Sequence, residues 1–276
     1  MSYFTILGLD KEPFSSSPDP AFFYESNEHK ACLLRVLVEI RLRRGLNVIL
    51  GDVGVGKTTL SRKLFQMLKE RPDILFYMIM DPTAQSEELF LESLVRTFNI
   101  HDELKALPSP NVLDYKEAIK KFLFQKAVEE NKTVVFVVDE AQKLTPASLE
   151  ILRVLLNYET NEYKLLQLVL FSQMELLPRI KEIKNFFDRI VLKYVINPLD
   201  EKETRDMINY RLQASGFNSE LKLFTDEAIS EIYHYSQGYP RRVNLICHNA
   251  LRSLITSNKT VIDATLVRDL IARNVL

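Results

Sequence analysis

The residues Gly51, Asp52, Val53, Gly54, Val55, Gly56, Lys57, Thr58 and Thr59 follow an apolar run and fit the spacing G-x-x-x-x-G-K-[ST]. Three of the chain's 7 glycines, Gly51, Gly54 and Gly56, fall within this short stretch. That density suits a backbone that curls tightly and turns its N–H groups inward on phosphate oxygens. A helix opening at Lys57-Thr58-Thr59 would add the positive end of its dipole. The chemistry implied is cradling of a nucleoside triphosphate such as ATP. Lys57 is expected at the β- and γ-phosphates and the Thr58 hydroxyl on Mg²⁺.

A second constellation is Asp139-Glu140, at the end of the apolar run Thr133–Val138. An acidic pair about 80 residues beyond a phosphate loop, at the carboxyl end of a buried strand, suits phosphoryl chemistry. Asp139 is expected to hold Mg²⁺ through water, and Glu140 to orient and polarise the attacking water. A metabolite kinase also carries such a loop. It does not usually add the Asp-Glu pair or an all-helical C-terminal region, so hydrolysis is the better reading.

These groups require strands to present them. Residues 46–50 and 74–80 read as buried strands, 133–138 as a near-continuously apolar central strand, and 165–171 and 190–196 as a fourth and fifth, alternating with helical patterns. The alternation predicts a doubly wound α/β domain over residues 27–197. Its first helix, over 28–44 with Asn27 as cap, places Leu33, Leu34, Leu37, Val38 and Leu42 on one face, and Arg41, Arg43 and Arg44 suit its C-terminal dipole. The helix after the phosphate loop turns Leu60, Leu64, Phe65 and Leu68 inward, and that over 86–98 uses Leu89, Leu91, Leu94, Val95 and Phe98. Pro108 and Pro110 separate it from a helix over 112–130. Thr145 caps another, opened by Pro146.

Beyond Asn197-Pro198 only helical patterns appear, which predicts a small helical lid over 198–276. Asp200 with Glu203 starts one helix and Gly216 stops it; Thr225 caps another that Gly238 ends. Residues 1–26 are rich in aromatics and turn formers, too apolar for a free tail, and are expected to pack as a linker on the ATPase core. Within them Pro13, Phe14 and Tyr24 either line an adenine pocket or simply pack.

The chain has 276 residues, 46% hydrophobic and 26% charged, with a net charge of −1. That is ordinary for a globular protein and leaves no global basic field for nucleic acid or anionic membrane. Cys32 and Cys247 form no metal or disulfide spacing and are expected as buried thiols in a reducing compartment. No apolar run approaches the ~20 residues of a membrane span, and no secretory leader opens the chain. A cytoplasmic location follows as the expectation.

Taken together, Gly51–Thr59, the string VVDEAQKLTPASLEILRVLLNYET, LLQLVLFSQMEL, DRI before NPLDEKET, and GYPRRVNLICHNAL resemble the AAA+ ATPases. With Leu7-Gly8-Leu9, Pro13-Phe14, Pro18-Asp19-Pro20 and Phe23-Tyr24, the chain is similar over nearly its whole length to the general secretion pathway protein A type and its relatives, the transposition ATPases. The resemblance implies an AAA+ P-loop fold: a five-stranded parallel sheet flanked by helices, with the helical lid. It also implies that Gln173 is the first sensor of the γ-phosphate, where other AAA+ proteins prefer Asn. Arg189 then sits where an arginine finger acts on a neighbour's nucleotide, contributing roughly 10³–10⁵ in rate; a surface salt bridge is the alternative. Arg241, in the first turn of a helix opened by Pro240, looks like the second sensor, and Arg242 is left to structure.

The resemblance further implies a homo-oligomer, ring or filament, with nucleotide between subunits, and a protein partner in an envelope secretion or pilus system. Longer members continue into a transmembrane helix and a periplasmic peptidoglycan-binding domain. The present sequence is therefore expected to be the cytoplasmic part of an inner-membrane protein or a stand-alone relative. The competing expectation is an ATP-dependent, DNA-binding ATPase that selects transposition targets, which the near-neutral charge disfavours. A non-hydrolysing scaffold is disfavoured by the intact Asp139-Glu140.

Overall fold

A computed structural model describes residues 3–273 except 16, 18, 105, 106, 108, 219–221 and 258. Pro18 and Pro108 of the sequence reading lie outside the described residues. The contacts divide the chain into two compact units. One comprises Met1–Glu28, Val53–Thr59 and Asn197–Leu276, the other His29–Asp52 and Leu60–Ile196.

The second unit is built on five parallel strands: β1 (Leu46–Gly51), β2 (Ile74–Ile79), β3 (Thr133–Val138), β4 (Leu166–Ser172) and β5 (Ile190–Ile196). Their order is β2-β3-β4-β1-β5. β1, β3 and β4 are buried on both faces, as expected of central parallel strands made almost wholly of Val, Leu, Ile and Phe. Leu46, Val48, Leu50, Val134, Phe136, Val138, Leu166, Leu168 and Leu170 turn to one core, shared with α4 (Glu87–Thr97), α5 (Val112–Phe124), α6 (Pro146–Leu155) and α7 (Leu176–Glu182). A π turn, Gln125–Glu129, carries α5 onward. α2 (Asn27–Arg41) and α3 (Lys57–Leu68) reach the sheet through Arg35 on the Tyr194 ring and Phe65 on Phe76.

Two expectations change here. β2 is only half-buried, because it is an edge strand; an apolar run alone does not tell edge from centre. The buried face of α2 is His29, Cys32, Leu33, Val36 and Ile40, while Leu34, Val38 and Leu42 are exposed. This helix carries apolar residues almost all round, so periodicity offered two faces and packing chose one. In the same way Leu89 faces outward and Phe90 takes the core position in α4, while Phe65 stays 41% exposed beside Phe76.

The first unit holds α1 (Tyr3–Ile6), α8 (Glu201–Ala214), α9 (Asp226–Ser236), α10 (Pro240–Thr256) and α11 (Ala264–Ala272). Three caps read from sequence form: the Asp200 carboxylate accepts from the Glu203 N–H, Thr225 Oγ1 from the Ala228 N–H, and Thr145 Oγ1 from the Ser148 N–H, whereas Asn27 is the first residue inside α2. Glu203 then uses its own carboxylate to accept from the Asn27 N–H. Cys32 and Cys247 are both buried, and burial pushes the Cys247 thiol well above its usual range.

The N-terminal segment, expected to pack on the ATPase core, falls within this helical unit. Phe14 is 2% exposed among Met207, Ile208, Phe224 and Cys247 and packs edge-on to Phe224. Arg211 explains the attachment. Its buried guanidinium donates to the carbonyls of Pro13, Phe22 and Ser15, and it lies over the Phe22 ring. Tyr24 packs against Tyr210. Packing therefore accounts for Phe14, and Pro13 is engaged through its carbonyl.

Candidate active site

Parallel strands bring their carboxyl ends to one edge. Leu50 of β1 pairs with Ser172 of β4, and Val138 of β3 with Leu170. The end of β1, the Asp139-Glu140 pair after β3 and Gln173 after β4 therefore share that edge, the usual place for a site in open α/β sheets.

Asp139 is fully buried. Its Oδ2 accepts from the Ser61 hydroxyl at 3.4 Å, and its Oδ1 from the backbone N–H of Glu140 at 3.0 Å. Ser61 sits one turn into α3, so the helix that starts at Lys57 also touches the acidic pair. Glu140 has φ +52, a left-handed conformation that is uncommon for a residue with a side chain and often marks a functional turn. Its Oε2 accepts from Gln142 Nε2 at 2.6 Å. Gln142 Oε1 accepts from Ser172 Oγ and from the Gln173 N–H, each at 3.2 Å. Arg179 of α7 donates to the carbonyls of Gln142 and Leu144.

Between β1 and α3 runs the glycine loop. Gly54 and Gly56 have φ +88 and +104, values that glycine reaches without strain. A Cβ on Gly54 would lie 3.0 Å from the Cβ of Arg241. The Arg241 N–H donates to the Gly54 carbonyl at 3.2 Å, so the first turn of α10 lies against the loop. Gly238, just before α10, is packed tightly against another backbone segment: a Cβ there would sit 1.9 Å from the Leu199 carbonyl oxygen. Val55 and Lys57 are buried, Asp52 and Val53 exposed, and Thr58 and Thr59 intermediate. Arg242 lies over the Tyr239 ring, a packing role.

Arg189 stands apart. Ile190 pairs with Leu46, the first residue of β1, so Arg189 is at the strand-start edge, opposite Asp139 and Gln173. About 20 Å of strand separates the two edges. Its Nε donates to the Asn185 carbonyl, and it helps hold the Glu150 carboxyl below its usual range, behind the larger effect of Arg153. Sequence reasoning missed Ser61, Gln142 and Arg179 as parts of the site. Gln142 was visible only as the polar residue two places after Glu140.

Residues 40–180 match the AAA domain family. The chain belongs to that family. It is an AAA+ ATPase, a fold that implies nucleotide binding. It is 34% identical over 254 residues to general secretion pathway protein A of Aeromonas hydrophila, covering 90% of this chain and 44% of that one. The chain spans about half the length of the curated relatives it matches. By structure it is similar to the ORC2 protein of Aeropyrum pernix in ADPNP-ADP complexes, with TM-score 0.69, 19% identity, and 96% of this chain and 72% of that one covered. It is also similar to Cdc6p of Pyrobaculum aerophilum, with TM-score 0.65, 18% identity, and coverage of 91% and 67%. At such identity these two likenesses speak for the AAA+ fold alone. No helix among the described residues of this ATPase is long and apolar enough to cross a membrane.

Proposed function

We propose that this AAA+ ATPase hydrolyses ATP with Mg²⁺, as a homo-oligomer with nucleotide between subunits, in the assembly of an envelope secretion or pilus system. The observation that carries the proposal is the 34% identity to general secretion pathway protein A over 90% of this chain. The residues fit the ligand on two counts. The loop holds Gly54 and Gly56 at positive φ, the kind of conformation that turns successive amides toward an anion, and a Cβ at Gly54 would meet the Arg241 side chain at 3.0 Å. A buried carboxylate, Asp139, ends the strand beside β4, and Thr58 supplies a hydroxyl in the first turn of α3.

In this reading the loop amides from Gly51 to Thr59 grip the phosphates and Lys57 Nζ neutralises the β- and γ-oxygens. Thr58 and Asp139 would hold Mg²⁺, which supplies charge neutralisation across the phosphates when bound. Glu140 orients the attacking water and takes its proton, while Gln173 touches the γ-phosphate from the end of β4. Arg241 reports on the nucleotide from α10. Arg189, on the far edge of its own sheet, serves the nucleotide of a neighbouring subunit.

Two variants test the chemistry. Lys57→Ala is expected to abolish ATP binding, and Glu140→Gln to keep binding while turnover stops. Equal ATP affinity in Lys57→Ala and wild type would remove the phosphate assignment. The turnover rate measured against protein concentration should rise cooperatively if subunits share sites. Duplex DNA should leave it unchanged; strong stimulation by DNA would instead favour a DNA-directed ATPase.

A further inference from the structure

The amide of Gln142 is used at both ends. Its Nε2 donates to Glu140 Oε2 at 2.6 Å, and its Oε1 accepts from Ser172 Oγ and the Gln173 N–H, each at 3.2 Å. The orientation of the amide is determined by these neighbours. A backbone N–H can only donate, and a carboxylate only accepts, so the reverse flip would set like against like at two positions. Gln142 is itself held. Arg179 donates to its carbonyl and to that of Leu144, anchoring the short turn Ala141–Lys143 to α7.

Glu140 needs such an anchor. It lies outside helix and strand, in a left-handed conformation, and its carboxylate is only partly buried. A flexible two-methylene side chain there has several rotamers, and a misplacement near 1 Å in a reacting group can cost about a hundredfold in rate. We infer that Gln142 is a positioning residue for hydrolysis, holding the Glu140 carboxylate in register with the end of β4, where Gln173 begins. A shift at Gln173 is then felt at Glu140 through one rigid amide, without passing through the sheet. The inference rests on the assignment of Glu140 as the group that orients water.

The test compares Gln142→Met, Gln142→Glu and Glu140→Gln in the full chain, with melting temperature, nucleotide affinity and turnover measured for each. Gln142→Met keeps the shape and removes both polar ends. Gln142→Glu keeps the acceptor for Ser172 and Gln173 but sets a carboxylate against Glu140. Both are expected to lower kcat about tenfold or more, with Kd for ATP within about twofold of wild type and the fold intact. A kcat close to wild type in either variant, or a loss matched by equally weakened ATP binding, overturns the inference. Glu140→Gln separates the two layers. If it stops turnover while the Gln142 variants do not, only the positioning role fails; if it turns over normally, the assignment of Glu140 fails and takes the positioning role with it.

Discussion

The backbone N–H of Arg241 donates to the carbonyl of Gly54, 3.2 Å away, so the opening turn of α10 is tied to the middle of the glycine loop. That contact lies inside one compact unit, which holds the loop residues Val53–Thr59 together with the C-terminal helices. A change in the loop is thus passed directly to α10, and a change at α10 to the loop.

Gly54→Ala tests this tie. The new methyl would meet the Arg241 Cβ at 3.0 Å while the backbone holds φ +88, a conformation that costs an alanine about 1–2 kcal/mol. Nucleotide affinity is expected to fall by about tenfold or more, with the far-ultraviolet circular dichroism unchanged. A fluorescent ATP analogue titrated into both proteins gives the comparison. Unaltered affinity would mean that the loop and α10 do not need their close approach.

Arg189 is predicted to act on a neighbour. Arg189→Ala should lose most of its turnover while still binding ATP, since Arg189 is remote from its own chain's acidic edge. Mixed with Lys57→Ala subunits, which retain Arg189, part of the activity should return. A mixture no more active than its components would leave Arg189 with its local hydrogen bond to the Asn185 carbonyl.

Arg211 is predicted to hold the N-terminal segment in place. Arg211→Met leaves the carbonyls of Pro13, Phe22 and Ser15 without their donor, a loss of about 2–4 kcal/mol. Burial lowers the Arg211 pKa from its usual range to about 10. With the folded value below the unfolded one, the unfolded chain binds the extra proton only from about pH 10 up to the ordinary guanidinium range, and stability rises with pH there. At pH 6 and pH 8 the side chain is charged in both states. The drop in melting temperature should therefore be equal at those two values, and a drop that changes between them would assign the effect to another group.

The chemistry of the site was legible because its signals are local. Gly51, Gly54, Gly56, Lys57 and Thr58 must be close in sequence to build one loop, and Asp139-Glu140 must follow a strand that is apolar throughout. The caps at Thr145, Asp200 and Thr225 were legible for the same reason, each spanning three residues. The inward face of α2 was not, because Leu34, Val38 and Leu42 carry the same helical spacing as Leu33, Val36 and Ile40, and the choice between them belongs to the sheet.

From the sequence alone came the triphosphate loop, the acidic pair, the alternating strands and the helical C-terminal region, all written in short-range spacing. Only the tertiary structure decided that β1 lies between β4 and β5, that residues 1–28 belong with the C-terminal helices, and that Gln142 bridges Glu140 to the end of β4. The reason is physical. Strand order, the docking of Phe14 and the carbonyls taken by Arg211 are set by burial and hydrogen bonding between residues up to about 200 positions apart, where no periodicity reaches.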